Sequence, residues 1–265
     1  MILQNKNAVI YGAGGSLGGA VARAFAHAGA RVFLTGRRIE SVQKVADEIE
    51  ASGGKAEATV VDGYDEGGVA AHLEEVRRRA GSVDISYNGV DIPVVQNIPL
   101  TEISLEDYVK PIMLTARTRF LTAKAAAKVM MEQRSGVILS ISATPGGIGY
   151  PYTGGFAAAN AAVESLATNL ASELGSYGIR VVNIRSGGSP DSAVFKEAIE
   201  RFPAVMEGML REMEGDTMLK KLPPMADIAN TAVFLASDLA ASITGVTVDV
   251  TSGTTAALNY RVKRQ

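Results

Sequence analysis

The run of glycines near the N-terminus constrains the fold more than any other feature of the sequence. Residues 11–19 read Tyr-Gly-Ala-Gly-Gly-Ser-Leu-Gly-Gly, directly after an apolar run at 8–11 and directly before a helical apolar pattern that ends at Gly29. A strand, a turn and a helix in that order bring free backbone N–H groups and the positive end of a helix dipole to one spot. The order favours nucleotide binding over a turn that is merely tight. We expect the contacts to come from Gly12, Gly14, Gly15, Ser16, Leu17 and Gly18.

Strand and helix patterns alternate along the rest of the chain. The first βαβ unit is complete by residue 36, and five further strand patterns begin near residues 56, 83, 137, 179 and 246. Such alternation is typical of a parallel sheet with right-handed crossovers. Hydrophobic residues make up 47% of the chain and aromatic residues only 6%, which favours a helix-covered parallel sheet over an all-β barrel. We predict one α/β domain over residues 1–265, a Rossmann-type, doubly wound, seven-stranded parallel sheet with helices on both faces.

Two segments interrupt this alternation. Residues 186–224 contain no strand pattern but carry phenylalanines, leucines and methionines spaced as in one or two loosely packed helices. This segment is either a lid over a ligand or a peripheral helical insertion whose methionines fill gaps in the core. Pro111 lies within the long helical pattern at 104–133, where it either begins a new segment or removes one backbone hydrogen bond and kinks the helix.

Charge and composition exclude several classes of partner. The formal charge is −2, with 26 basic and 28 acidic residues, so the net charge provides no long-range attraction to nucleic acid or to an anionic membrane. The basic runs at 77–79 and 261–264 are interpreted as a solvated helix face and a terminus. The absence of cysteine excludes disulfides and cysteine-based zinc sites, and we predict no metal site. Without a signal peptide or a long apolar span, we expect a cytoplasmic protein that acts on a small molecule.

The end of the second strand pattern distinguishes between two dinucleotides. It reads Thr-Gly-Arg-Arg at 35–38, where an acidic residue would bind the ribose 2′-hydroxyl of NAD. Arg37 and Arg38 can instead form forked hydrogen bonds to a 2′-phosphate. Two solvent-facing arginines at the start of a helix are the alternative interpretation. We predict that the chain binds NADP(H).

These motifs together resemble the short-chain dehydrogenase/reductase family, from about Asn7 to Gly253. The turn at 11–18 is similar to the family's Thr-Gly-x-x-x-Gly-x-Gly, and Asp62 with Gly63 resembles the family's Asp-Val pair beside the adenine. Asn88 matches the first residue of the family's Asn-Asn-Ala-Gly motif. The segments Asp-Ile-Ala at 227–229, Phe-Leu-Ala-Ser-Asp at 234–238 and Ile-Thr-Gly at 243–245 resemble the family's closing helix and strand. The resemblance also implies a homotetramer or homodimer that packs through helices 104–133 and 155–175.

The four catalytic positions of the family hold other residues here. The resemblance places Thr115 at the family's Asn, Ala143 at its Ser, Phe156 at its Tyr and Asn160 at its Lys. Phe156 cannot donate a proton to a developing alkoxide, and Asn160 can bind a ribose hydroxyl but carries no charge. Hydroxyl groups that could replace the tyrosine lie between the fifth strand and the following helix, on Ser142, Thr144, Tyr150, Tyr152 and Thr153.

Two functional hypotheses follow. The first is a divergent NADP(H)-dependent oxidoreductase that reduces a small carbonyl or an activated C=C bond with a relocated or solvent-derived proton. The second is a catalytically silent protein that binds the nucleotide as a sensor or a scaffold subunit. The methionine-rich segment favours the enzyme, because a scaffold has little use for a lid. The changed catalytic positions favour the silent protein.

Overall fold

A computed structural model describes residues 1–256, and the basic run at 261–264 lies outside the described residues. Seven parallel strands form one sheet in the order β3-β2-β1-β4-β5-β6-β7. The reversal of strand order between β1 and β4 is the topological switch point of a doubly wound sheet. The strands are β1 (Asn7–Tyr11), β2 (Arg31–Gly36), β3 (Lys55–Val60), β4 (Ile85–Asn88), β5 (Gly136–Ala143), β6 (Ile179–Ser186) and β7 (Thr247–Val250).

Eight α-helices connect or flank the strands within residues 1–256. They are α1 (Ser16–His27), α2 (Ile39–Ala51), α3 (Glu66–Ala80), α4 (Leu105–Gln133), α5 (Phe156–Leu174), α6 (Ala193–Arg201), α7 (Pro203–Gly215) and α8 (Met225–Ala236). Asp65 and Ser104 begin α3 and α4 by accepting backbone N–H groups of the first turn. Gly81 ends α3 in the left-handed conformation, with φ at 86°.

Each face of the sheet has its own apolar core. Val21 and Phe25 of α1 lie in the core on one face, together with buried residues of α2 and α8. Val69 and Leu73 of α3 lie in the core on the other face, together with buried residues of α4 and α5. The inner strands contribute alternate residues to the two cores, so they are apolar on both sides. This arrangement confirms the predicted seven-stranded sheet with helices on both faces.

The two interrupted segments have distinct outcomes. The region 186–224 contains two helices, α6 and α7, of which only Met206 of α7 is buried. Helix α4 runs through Pro111 without an interruption. Strand β4 begins at Ile85 instead of residue 83, because the carboxylate of Asp84 turns back to accept the backbone N–H of Asn7 at 2.7 Å.

Neither a membrane-spanning helix nor a cluster of metal ligands occurs in the described part of the chain. Among residues 1–256 no helix is both long enough and apolar enough to cross a bilayer. The same residues contain no group of three or more His, Asp or Glu side chains placed to hold a metal ion.

Candidate functional site

The carboxyl ends of β1 and β4 lie side by side at the switch point, the place where open α/β sheets form a ligand-binding crevice. The glycine turn leaves β1 on one side, and the segment after Asn88 leaves β4 on the other. A β-carbon at Gly12 would lie 2.6 Å from the carbonyl oxygen of Gly89, so the two segments touch through backbone alone. Gly12 also has a φ of +75°, which L side chains rarely adopt. Ligands of open α/β sheets bind at this place in the fold.

The glycines of the turn are required first for its own packing. A β-carbon at Gly18 would lie 2.2 Å from the carbonyl oxygen of Gly12, and one at Gly14 would lie 2.4 Å from the hydroxyl of Ser41. Helix α1 and helix α2 can approach the turn only because these side chains are missing. The glycines alone therefore do not separate a ligand site from a tight turn.

The backbone donors of α1 point to an anion. The residue before the helix, Gly15, has no side chain that could cap it, and no acidic residue lies in the first turn. The N–H groups of Ser16, Leu17 and Gly18 belong to the first turn, where no intrahelical acceptor exists. Donors of this kind with the helix dipole behind them fit a phosphate. A dinucleotide pyrophosphate fits this turn.

The adenosine end of the crevice contains the other predicted residues. Arg37 and Arg38 are exposed at the end of β2. Asp62 accepts the backbone N–H of Tyr64 at 3.0 Å, and a β-carbon at Gly63 would lie 2.9 Å from the hydroxyl of Thr118. The structure thus brings the end of β2, the segment after β3 and helix α4 to one wall of the crevice.

Tyr64 belongs to this wall and was missed by sequence reasoning. Its side chain is half-buried, and burial raises the pKa of its hydroxyl, whereas the charges of Arg37 and Arg119 lower it. Tyr64 therefore lies among the charged groups of the crevice. Its position directly after Asp62 and Gly63 was the available signal.

The side-chain amide of Asn88 forms hydrogen bonds within the protein. Its Nδ2 donates to the hydroxyl of Thr122 at 2.8 Å, and its Oδ1 accepts the backbone N–H of Val90 at 3.0 Å. These bonds fix the course of the chain after β4. Asn88 therefore shapes the crevice from below, and its direct contact with a cofactor stays a prediction.

Two charged residues near the glycine turn, Asp91 and Arg119, were also not predicted from the sequence. One carboxylate oxygen of Asp91 lies 2.9 Å from the place where a β-carbon of Gly15 would stand. Arg119 of α4 is only 7% exposed and donates through Nη2 to the carbonyl oxygen of Val90 at 3.3 Å. A signal existed for Arg119, because it shares the buried stripe of α4 with Thr115, Thr122 and Ala126.

Burial moves the pKa values of both groups. It raises the pKa of Asp91, and the positive charge of Arg119 lowers that pKa in part. It also lowers the pKa of Arg119 to about 10, although the charges of Tyr87, Asp91 and Tyr64 oppose that shift. Arg119 therefore stays a buried cation at neutral pH near Asp91, which is itself exposed at the surface.

The positions matched to the family's catalytic residues meet where β5 ends and α5 begins. The backbone N–H of Ala143 donates to Oδ1 of Asn160 at 2.8 Å, and Nδ2 of Asn160 donates to the carbonyl oxygen of Phe156 at 2.8 Å. Asn160 is buried and ties the strand to the helix. Its contact with a ribose hydroxyl stays a prediction, as does any catalytic role for Thr115, which is buried on α4.

Three of the five substitute hydroxyl groups are engaged. Ser142 donates to a carboxylate oxygen of Glu164 at 2.8 Å. Thr144 donates to the carbonyl oxygen of Ser186 at 3.3 Å, and Thr153 donates to that of Tyr150 at 3.2 Å. These hydroxyls stabilise the loop and the end of the sheet.

The two tyrosines of the loop differ in their surroundings. Tyr152 is exposed and has a φ of +61°, a left-handed conformation that only a few per cent of non-glycine residues adopt. Tyr150 is half-buried, and burial together with the charges of Asp216 and Glu212 raises the pKa of its hydroxyl. Since Glu212 belongs to α7, a charge of the second helix in the 186–224 segment acts on Tyr150.

A charged network underlies this loop. Arg185 of β6 donates to Glu164 of α5 through Nε at 2.9 Å and Nη2 at 2.6 Å, and through Nη1 to Asp249 of β7 at 2.9 Å. A β-carbon at Gly147 would lie 2.3 Å from the guanidinium carbon, so the loop rests on Arg185. Asn183 extends the network by donating to the hydroxyl of Ser142 at 2.7 Å.

Helix α6 begins over the glycine turn. The backbone N–H of Ala193 donates to the hydroxyl of Ser16 at 2.9 Å. Before it, Gly188 lies between Phe195 and Met213, whose atoms stand 3.0 Å and 2.7 Å from the place of a β-carbon. The segment 186–224 therefore contacts the glycine turn, and the charge of Glu212 in α7 acts on the hydroxyl of Tyr150.

Comparison with known proteins identifies the family. Residues 12–255 match the family described as enoyl-(acyl carrier protein) reductase, which covers the turn, the crevice and the closing strand. The chain belongs to the short-chain dehydrogenase/reductase family. A 3alpha-hydroxysteroid dehydrogenase of Mediterraneibacter gnavus is 32% identical over 94% of this chain and 97% of its own length. A 3-oxoacyl-(acyl-carrier-protein) reductase of Pseudomonas aeruginosa is 30% identical over 96% of this chain and 98% of its own length.

Solved structures of other family members superpose closely. The crystal structure of levodione reductase has a TM-score of 0.88 at 27% identity and covers 96% of this chain and 99% of its own. A gluconate 5-dehydrogenase from Burkholderia cenocepacia, solved with NADP and tartrate, has a TM-score of 0.86 at 25% identity, with 97% of both chains covered. The family assignment makes this chain an oxidoreductase of the short-chain type.

Proposed function

We propose that the protein is an NADP(H)-dependent oxidoreductase that reduces a small carbonyl compound or an activated C=C bond. The observation that carries this proposal is the uncapped N-terminus of α1, whose donors open onto a crevice at the switch point of the sheet. The residues that would hold the dinucleotide are those of the turn, with Asp62 and Gly63 beside the adenine and Asn88 below. The relatives' names as dehydrogenases and reductases favour an enzyme over a silent sensor or scaffold.

The preference for NADP(H) over NAD(H) rests on two arginines. Arg37 and Arg38 stand at the end of β2, the strand end where the adenosine ribose lies in this fold. Both are exposed and can turn to a 2′-phosphate without breaking a buried contact. The gluconate 5-dehydrogenase structure holds NADP, which supports the proposal for a protein of this fold.

The bound nicotinamide would supply or accept a hydride, and the protein must move the accompanying proton. Phe156 has no proton to give, and the amide of Asn160 is neutral. Tyr150 is protonated at neutral pH, and its raised pKa makes it a weaker acid than a free tyrosine. It can therefore donate, but its conjugate base is unfavourable, so we expect slow proton delivery from Tyr150 or from water.

The segment 186–224 would act as a lid in this reaction. It contacts Ser16 of the glycine turn through Ala193, and Glu212 of α7 acts electrostatically on Tyr150. Closure over the pyrophosphate and the nicotinamide half of a bound dinucleotide would exclude water from the reacting atoms.

A homotetramer or homodimer is proposed from the exposed apolar side chains of α4. Val109, Met113 and Phe120 are partly or largely exposed along one helix. An apolar surface of this kind is typical of a subunit interface. Light scattering coupled to gel filtration measures the mass in solution, and a monomer would contradict this part of the proposal.

The test of the proposed function combines binding and turnover. Fluorescence titration with NADPH and NADH measures the two affinities, and the loss of NADPH absorbance then follows a panel of carbonyl and enoyl substrates. We expect tighter binding of NADPH and slow turnover of at least one substrate. Binding without any turnover would favour the sensor or scaffold, and no binding of either dinucleotide would refute the proposal.

A further inference from the structure

Asp91 places a carboxylate at the glycine turn. Its Oδ2 would be only 2.9 Å from a β-carbon on Gly15, so it lies directly against the residue that precedes α1. The N–H groups of Ser16, Leu17 and Gly18 begin at the same place. A group that attracts phosphate and a group that repels it are therefore neighbours in this crevice.

Arg119 lies below Asp91 and is incompletely paired. Its Nη2 donates to the carbonyl oxygen of Val90, one residue before Asp91. Its Nε and Nη1 are buried and have no hydrogen-bond partner among residues 1–256. A buried guanidinium with two free donors is costly unless a negative charge compensates it. The carboxylate of Asp91 is close enough to raise the pKa of Arg119.

Other ionisable groups face this pair from every side. Tyr87 of β4 approaches from the sheet, and its hydroxyl has no hydrogen-bond partner among the described residues. Tyr64 approaches from the segment after β3, where the charges of Arg37 and Asp62 also act on its hydroxyl. Both tyrosines are neutral over the range in which a carboxyl group titrates, so among Arg119, Tyr87, Tyr64 and Asp91 the group that changes charge as the pH falls below neutrality is Asp91.

We propose that Asp91 weakens the hold of the glycine turn on a dinucleotide pyrophosphate and that Arg119 offsets this repulsion. The pair would set how tightly the cofactor binds and would make that affinity depend on pH. This inference rests on the proposed function, because it assumes that the turn holds a pyrophosphate. It also assigns a role to two charged residues at the centre of the crevice that the proposed function leaves unexplained.

The first test replaces the carboxylate by its neutral isostere. Calorimetric titration with ADP-ribose, which carries the pyrophosphate without a 2′-phosphate, compares the wild type with Asp91→Asn. We expect binding about tenfold tighter in the variant, since the carboxylate of Asp91 stands beside the N–H groups that would hold the pyrophosphate and like charges repel, while the exposure of Asp91 to water limits the gain to about this size. Adenosine, which has no phosphate, should bind equally to both proteins.

A matched control removes one negative charge far from the turn. Asp238→Asn makes the same chemical change on a side chain that is 93% exposed, so it should leave the ADP-ribose affinity unchanged. Thermal unfolding of each variant shows whether a loss of binding reflects a loss of folding.

The second test follows the pH. Protonation of Asp91 removes the repulsion, so ADP-ribose should bind the wild type more tightly as the pH falls from 8 to 5, because desolvation raises the pKa of this carboxyl above its usual value. The Asp91→Asn variant should lack this gain. Arg119→Met should weaken binding several-fold, and the double variant should recover the loss, because no uncompensated carboxylate remains.

The outcomes separate this inference from the proposed function. Tighter binding in Asp91→Asn, or binding by that variant alone, supports the repulsion. Unchanged or weaker ADP-ribose binding in Asp91→Asn overturns it and leaves the nucleotide site intact, with Asp91 then an acceptor for a ribose hydroxyl. An equal gain for adenosine also overturns it. If neither protein binds any dinucleotide, both proposals fail.

Discussion

The two ends of the candidate site differ in how their polar groups are paired. At the glycine turn the N–H groups of α1 have no cap, and beneath it Arg119 keeps two donors unpaired among the described residues. At the ends of β5 and β6 the polar side chains bond to one another, as in the chain from Asn183 through Ser142 and Glu164 to Arg185. Buried polar groups left unpaired are costly and therefore point to a missing partner.

This difference distinguishes a region that fits a ligand from one that is bonded internally. The first region has free backbone donors that fit a dinucleotide pyrophosphate, whereas the amide and hydroxyl groups of the second hold the strand, the helix and the loop together. Asn160 is the clearest case, because its amide joins Ala143 to Phe156. Under the proposed function, the first region would bind the cofactor, and the second would have few free polar groups to move a proton.

The largest expected effect comes from a substitution in the glycine turn. Gly18→Val should abolish NADPH binding, because even a β-carbon would stand 2.2 Å from the carbonyl oxygen of Gly12 and would displace the turn. Fluorescence titration measures the loss, and circular dichroism checks the fold. Gly208→Ala is the matched control, since a β-carbon on α7 at that position meets nothing within 4 Å. Unchanged affinity in Gly18→Val would mean that the turn does not hold the cofactor.

The second prediction concerns the end of β5 and the start of α5, where the family's catalytic side chains can be restored. The triple variant Ala143→Ser, Phe156→Tyr and Asn160→Lys restores three positions of the family's catalytic set. General acid–base help contributes about 10²–10⁴-fold, so carbonyl reduction should rise by an amount in that range. The melting temperature should fall, because lysine cannot accept the N–H of Ala143 as Asn160 does. Steady-state kinetics and thermal unfolding measure the two effects.

The double variant that retains Asn160 is the control for this exchange. Ala143→Ser with Phe156→Tyr keeps the amide bonds and should keep most of the stability, but it lacks the ammonium that acidifies a tyrosine. A wild type that already turns over rapidly, with no gain in the triple variant, would show that another donor works. Replacement of Tyr150 and Tyr152 by phenylalanine, one at a time, would then identify it.

The third prediction concerns the adenosine end of the crevice. Arg37→Asp should invert the preference from NADPH to NADH, because it removes a charge-assisted bond of about 1.5–3 kcal/mol and adds an acceptor for the ribose 2′-hydroxyl. Paired fluorescence titrations measure both affinities. Lys44→Asp, on an exposed position further along α2, makes the same charge change without reaching the strand end. Equal affinities of the wild type for the two dinucleotides would remove the basis for assigning NADP(H).

Much of the fold and part of the site could be predicted from the sequence. The seven strands and the glycine turn follow from local patterns, because strand alternation, helical spacing and turn glycines are properties of neighbouring residues. The contact of Asp91 with Gly15 and the bond from Ala193 to Ser16 join residues far apart in the chain. Single-sequence patterns carry no information on such pairs, so the sequence alone did not reveal these contacts.

The last prediction tests whether an unpaired polar group always indicates a ligand. His72 of α3 lies outside the crevice, is buried, and leaves Nδ1 without a partner among the described residues. Burial lowers its pKa to about 4, against weaker opposing effects of Glu57 and Glu75. Above a pH near 6.5 both the folded and the unfolded chain keep this histidine neutral. As the pH falls from there towards 4, only the unfolded chain takes up the proton, so the folded state loses stability.

His72→Leu should remove about 1–2 kcal/mol of the difference in unfolding free energy between pH 7.5 and pH 5, measured by urea titration. His27, the chain's other histidine, is exposed, and His27→Gln should leave that difference unchanged. The expected result would show that a histidine at an apolar packing position can remain unpaired and lower the free energy of unfolding only at acid pH. Unpaired polar atoms would then indicate a ligand only where several of them face the same site, as at the glycine turn. An identical pH dependence in His72→Leu and the wild type would instead mean that His72 is protonated in the folded protein.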